Sequence, residues 1–130
     1  MLVDTGALLA LALKRDQHHA RAAAFARRNP ETRFVLTDLV LAETVTRLRA
    51  RAGAQLAARA GRSLLDSRRY EVLFVDPPLV SSGLARLEQF ADKALSLTDC
   101  VSFEVMDRLS LTAAFAFDRD FRDCGYRTVP

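Results

Sequence analysis

Four short apolar runs, MLV, RFVLT, YEVLFVD and LTAAFAF, are separated by segments whose apolar residues recur at helical spacing. That alternation constrains the fold more than any other feature of the chain. Strands joined through helices make right-handed crossovers, and these build a parallel sheet covered by helices on both faces. In order, MLV is a strand ending at Asp4, and TGALLALAL opens a helix. A second helix covers about His18 to Arg28 and stops at NP, because the residue before proline avoids the helical region. RFVLT is a strand. DLVLAETVTRLRAR is helical, with Leu41, Val45 and Leu48 at i, i+4 and i+7, and Gly53 interrupts it. AQLAARAGRSLLDS is another helix, YEVLFVD a strand closed by PP, and helices follow over Leu79 to Ala91 and in SLTDCVSFEVMDRL. LTAAFAF is again a strand, and the tail turns at Gly125 into a last short one. With no repeat, low-complexity tract or linker, residues 1–130 read as one α/β domain.

The strand LTAAFAF ends in acid, with Asp118 and Asp120 on either side of Arg119. In open parallel sheets ligands sit beyond the carboxyl ends of the strands, which is where Asp118 and Asp4 both fall. A helix from Thr98 to Leu109 runs about 18 Å, and the strand from Thr112 to Asp118 comes back about 20 Å. Out and back nearly cancel, so Asp99 returns to the edge that holds Asp118. RFVLT ends at that edge too, and Glu43 lies roughly 8 Å into the helix that follows. Asp4, Glu43, Asp99 and Asp118 are therefore expected to face one cleft. Two carboxylates 4 Å apart repel by about 4 kcal/mol at an effective dielectric near 20. Either some hold protons at raised pKa or a cation neutralises them. An oxygen-only set suits Mg²⁺ or Mn²⁺ rather than Zn²⁺, and phosphodiester hydrolysis is the natural chemistry of such a site.

Each acid also has a purely structural reading. Asp4 can cap the helix beginning at Thr5. Ser96 with Asp99 fits a capping box, Glu43 and Arg47 form an i, i+4 pair, and Asp118 and Asp120 suit a turn. Four such coincidences along one edge favour the joint reading. Thr98 either caps its helix or holds a water or phosphate oxygen, and Asp120 is peripheral to the metal. Asp92 reads as an ion-pair partner of Lys93 or an arginine. His18 and His19 read as solvent-exposed, and Cys100 as a small buried residue.

The net charge is +3, and its basic side is nearly all arginine, Lys14 and Lys93 being the only lysines. Arginine's planar fork suits phosphates and carboxylates, which tilts the partners towards nucleic acid or an acidic protein. Arg47 and Arg51 belong to an arginine-rich stretch between Glu43 and Arg69 that supplies either a solvated helix face or phosphate contacts. No aromatics alternate with these arginines, so base stacking is not indicated there. Cys100 and Cys124 are too few for a disulfide framework. TGALLALAL lacks the basic flank and cleavage pattern of a signal peptide, and no run reaches the roughly 18 apolar residues of a membrane span. The expectation is a soluble, cytoplasmic protein.

MLVDTGALLAL, LVLAETV, ADKALSLTDCVSF and FAFDRDF together resemble, in order and over essentially the whole chain, the four signature blocks of PIN-domain nucleases. The resemblance is strongest to the VapC-type toxins of type II toxin–antitoxin pairs. It implies a three-layer α/β/α sandwich with a central, mostly parallel sheet. It also implies an Mg²⁺- or Mn²⁺-dependent endoribonuclease whose acidic quartet is Asp4, Glu43, Asp99 and Asp118, with Thr98 as the hydroxyl preceding the third acid. The implied partners are an RNA substrate, a cognate antitoxin and a second copy in a homodimer. Gly6, where serine is common, and Cys100, where alanine is usual, are mild departures that remove no carboxylate. The competing reading is a non-catalytic module that binds protein or RNA through the same fold. An aspartyl-nucleophile phosphatase is disfavoured because DTG lacks the second acid of a DxD pair.

Overall fold

The structure, a computed structural model, describes residues 1–130. Along the chain come β1 (Leu2–Val3), α1 (Thr5–Ala12), α2 (His19–Arg28), β2 (Phe34–Thr37), α3 (Asp38–Ala52) and α4 (Ala54–Asp66). They are followed by β3 (Tyr70–Leu73), α5 (Pro77–Gln89), α6 (Leu97–Arg108), β4 (Ala113–Phe115), α7 (Arg119–Asp123) and β5 (Arg127–Val129). The strands form one sheet in the order β3-β2-β1-β4-β5, and every pairing is parallel.

Successive side chains on a strand point to opposite faces, and the two halves of the core divide accordingly. Leu2, Ala114 and Ala116 pack with Leu79, Val101, Phe103, Met106 and Phe121 on one side. Val3, Phe34, Leu36 and Phe115 pack with Ala7, Leu8, Ala22, Val40 and Leu64 on the other. This is the expected three-layer α/β/α sandwich. The central strand β1 is only two residues long, yet both are fully buried, and it pairs Leu2 with Val35 and with Ala114. Cys100 lies in the core, whereas Cys124 is half-buried. No helix is long and apolar enough to cross a membrane.

Three boundaries differ from the sequence reading. β3 ends at Leu73 because its ladder on β2 ends there, Thr37 opposite Leu73, where β2 gives way to α3. Beyond it Phe74 is 72 % exposed, and the Val75 amide donates to Asp38 Oδ1 at 3.0 Å. The two prolines begin α5 rather than close the strand. Asp76 caps the helix by accepting from the Leu79 amide, and a proline in the first turn lacks an N–H that would have no helical partner anyway. Finally, β4 covers only Ala113–Phe115, and the acids after it start the short helix α7 instead of a simple turn. Gly53 joins α3 to α4 at φ +86°, a left-handed conformation that disfavours any side chain.

Candidate active site

Strand geometry puts Asp4 at the carboxyl end of β1, where it caps α1 by accepting from the Gly6 amide at 3.0 Å. Its own amide donates to Phe115 O at 3.0 Å, tying it to β4. Asp118 leaves β4 and caps α7, accepting from the Asp120 amide at 3.0 Å. Asp99 is the third residue of α6 and closes a full capping box. Its Oδ2 accepts from the Ser96 amide at 2.9 Å and the Ser96 hydroxyl at 2.8 Å, while Ser96 Oγ accepts from the Asp99 amide at 3.0 Å. Glu43, on α3, takes Arg47 Nη1 on Oε1 at 3.2 Å.

All four acids line one open cleft of about 470 Å³, so the expected convergence is met. The structural readings of Asp4, Glu43 and Asp99 hold as well, while Asp118 caps α7 rather than sitting in a simple turn. In each carboxyl group the side-chain hydrogen bonds fall on a single oxygen. Helix caps thus orient Asp4, Asp99 and Asp118, and the Arg47 pair orients Glu43, leaving the second oxygen of each without a side-chain hydrogen bond. No three acidic, histidine or cysteine side chains are drawn tightly enough together to form a ready-made metal centre. Asp4 is 8 % exposed, and its carboxyl is pushed up to about 7. Burial is the main cause; the Gly6 amide opposes it, and the charges of Asp99 and Glu43 add to it. Asp120 is also raised, by burial and then by Asp118 and Asp99. It borders the acidic group without lining the cleft.

The remaining candidates divide. Arg47 lines the cleft, whereas Arg51 lies over a second hollow beside Lys14 and Arg15 and reaches Asp16 at 3.9 Å. Thr98 is not in the lining, and the capping role belongs to Ser96, which is. Asp92 makes none of the chain's ion pairs. The two histidines are half-buried rather than solvent-exposed, because the start of α2 folds back against α1 and the end of β4. His19 Nδ1 pairs with Ala10 O at 2.7 Å, and the His18 ring stacks on Phe117 at 4.3 Å. His18, Phe117, Arg119 and Thr5 all line the cleft; the sequence reading placed none of them there, and took His18 as solvent-exposed. Only the closeness of Phe117 and Arg119 to Asp118, and of Thr5 to Asp4, could have signalled three of them. The local pattern after Asp16 drew notice to His18 but gave no sign that it faces the cleft.

A hard divalent cation fits this donor set. All four candidate ligands are carboxylates, the preference of Mg²⁺ and Mn²⁺. Thr5 also lines the cleft, and its hydroxyl is buried without a hydrogen-bond partner, an unsatisfied oxygen one residue from Asp4.

A five-stranded parallel sheet whose strand ends gather four carboxylates is the arrangement of a PIN domain. The family profile described as "PIN domain" matches residues 1–125, and the chain belongs to that family. Within it the chain groups with the VapC-type proteins. Over 129 residues it is 30 % identical to the 23S rRNA-specific endonuclease VapC20 of Mycobacterium tuberculosis, in each of two strains, spanning 99 % of this chain and 97 % of the relative. The crystal structure of Mycobacterium tuberculosis VapC20, described as a Sarcin-Ricin loop cleaving toxin, superposes with a TM-score of 0.90. That match is 29 % identical and covers 96 % of this chain and 95 % of the other.

Proposed function

We propose that this chain is an endoribonuclease that cleaves RNA phosphodiester bonds by hydrolysis with Mg²⁺ or Mn²⁺, as the cytoplasmic toxin of a toxin–antitoxin pair. The observation that carries the reading is the single cleft into which Asp4, Glu43, Asp99 and Asp118 converge. Asp4, Asp99 and Asp118, each fixed by a helix cap, would hold the ion, with Glu43 reaching it from the side. A bound Mg²⁺ or Mn²⁺ supplies positive charge for the phosphoryl oxygens and acidity for a water nucleophile. The chain's part is orientation. The caps hold the carboxylates of Asp4, Asp99 and Asp118 at fixed angles. Arg47 and Arg119 stand in the lining to meet the phosphate backbone. Likeness to VapC20 over nearly the full length supports 23S rRNA, at its sarcin–ricin loop, as the substrate. An antitoxin and a homodimeric state belong to the same reading.

Incubation with ribosomes and with total RNA, in Mg²⁺, Mn²⁺ or EDTA, followed by primer extension over 23S rRNA, tests it. A discrete metal-dependent cut in the sarcin–ricin loop is expected. Asp4→Asn and Asp99→Asn should each lower cleavage by more than roughly a hundredfold, the upper end of what changes around metal ligands cost, with circular dichroism unchanged. Full activity in either variant would remove the site assignment. No cleavage of any RNA by the unaltered protein would leave the non-catalytic binding module as the better reading.

A further inference from the structure

The carboxylates are four of the residues that line the cleft. Of its eleven lining residues Phe117 alone is hydrophobic, and a phosphate or a metal ion has no use for an aromatic ring. Phe117 does not stand alone. The His18 imidazole lies parallel to it, with centroids 4.3 Å apart and planes 5° apart. Arg21 places its guanidinium 5.4 Å from the same ring, and Phe115, fully buried in the core, meets Phe117 edge-on at 6.1 Å. The His18 backbone is held as well, its amide donating to Asp16 Oδ1 at 2.9 Å. His19 spends its ring on Ala10 O; His18 spends its ring on the stack. A stacked pair of rings, backed by Phe115, therefore lines the cleft beside the four acids, Phe117 standing one residue before Asp118.

We propose that the His18–Phe117 stack is a base shelf, on which a nucleobase of single-stranded RNA next to the scissile phosphate stacks. This rests on the nuclease reading for its substrate, and it assigns the cleft a second recognition element distinct from the acids. RNA recognition commonly splays bases onto aromatic side chains. Such stacking is tolerant of base identity, so the shelf supplies affinity and placement while leaving target choice to the RNA's shape. The sequence reading found no aromatic alternation among the arginines between Glu43 and Arg69, and this pair lies outside that stretch. It is assembled from His18, just before α2, and Phe117, two residues past β4, 99 positions apart.

The test is binding of a single-stranded RNA oligonucleotide carrying 2-aminopurine, read by anisotropy and by quenching of the analogue. It uses protein with Asp99→Asn and Mn²⁺ so that the RNA stays intact, and unaltered protein if that does not cut. His18→Ala should weaken binding roughly five- to hundredfold, the range of one lost base–aromatic stack, and should relieve the quenching. His18→Phe, which keeps the ring and discards both nitrogens, should restore both to within about threefold. Phe117→Leu should resemble His18→Ala. Circular dichroism and Mn²⁺ affinity should not move in the His18 variants. If His18→Ala binds as tightly as its parent, if His18→Phe is as weak as His18→Ala, or if no RNA binding is measurable, the shelf is wrong. The two readings fail separately. Cleavage that survives with unchanged RNA affinity in His18→Ala sinks the shelf alone. RNA binding that depends on His18, in a protein that never cuts, sinks the nuclease alone.

Discussion

At the scale of single residues, Asp4 is the group whose chemistry is most shaped by its surroundings. Its folded carboxyl holds a proton up to a pH of about 7, against 3.8 for an ordinary aspartate. Between those values the folded state binds more protons than the unfolded chain, so stability falls as pH rises through the window. The penalty is absent below about pH 4 and complete above about pH 7. It amounts to at most roughly 4 kcal/mol, since a tenfold change in proton affinity corresponds to about 1.4 kcal/mol. Urea unfolding of metal-free protein should therefore show stability rising as pH falls from about 7.5 to 4.5, and Asp4→Asn should flatten that slope and stabilise the protein at the alkaline end. A flat profile in the unaltered protein would count against a buried, proton-holding Asp4. Mn²⁺ uptake near pH 6.5 should release roughly three-quarters of a proton, seen as a dependence of binding enthalpy on the buffer used. Asp4, Asp99 and Asp118 were legible as candidates because each follows a recognisable strand or starts a recognisable helix. His18 was not legible as a cleft residue, because it enters through its stack on Phe117, 99 positions away.

At the scale of elements, the position of α6 matters most, because it carries Asp99. It packs against α5, and the two approach closely at Gly83: a Cβ there would sit 2.6 Å from Val101 Cγ2 and 3.4 Å from the Val101 amide nitrogen. Val101 is fully buried two residues beyond Asp99. Gly83→Ala should cost about 1–3 kcal/mol, the usual penalty of overpacking. It should also lower cleavage more than an equally destabilising change distant from α6, measured by thermal melts alongside turnover. Arg86 reinforces the same pair of helices, donating to Glu104 Oε1 at 2.8 Å, Asp107 Oδ2 at 2.6 Å and Tyr126 Oη at 2.7 Å. Burial, together with the bond to Asp107, pushes the Tyr126 phenol up to about 12, even though Arg86 pulls the other way. The cluster links α5, α6 and the approach to β5. None of it shows as a motif, since its members are up to 40 residues apart. The element order itself was legible, and so were both caps, Ser96 with Asp99 and Asp4. The helix α7 was missed because five residues are too few to display a period.

For the whole molecule, both halves of the core meet at β1, where Leu2 faces one helical layer and Val3 the other. Two residues join the left and right of the sheet, so the domain should unfold as one unit. Leu2→Ala should cost about 2–5 kcal/mol, the range for an emptied core leucine and a large share of a domain's typical 5–15 kcal/mol. Chemical denaturation should show a lower midpoint with an unchanged slope; a second transition would mean that the halves fold separately. The sequence determined the parallel α/β architecture and the edge at which the acids gather. Periodicity, strand length and rise per residue are local quantities, and they add up along the chain. Only the tertiary structure decided where β3 stops, which arginine faces the cleft, and that His18 lies flat against Phe117. Those outcomes depend on which surfaces meet once the helices have folded over the sheet, and no local period records the partner that a side chain will find there.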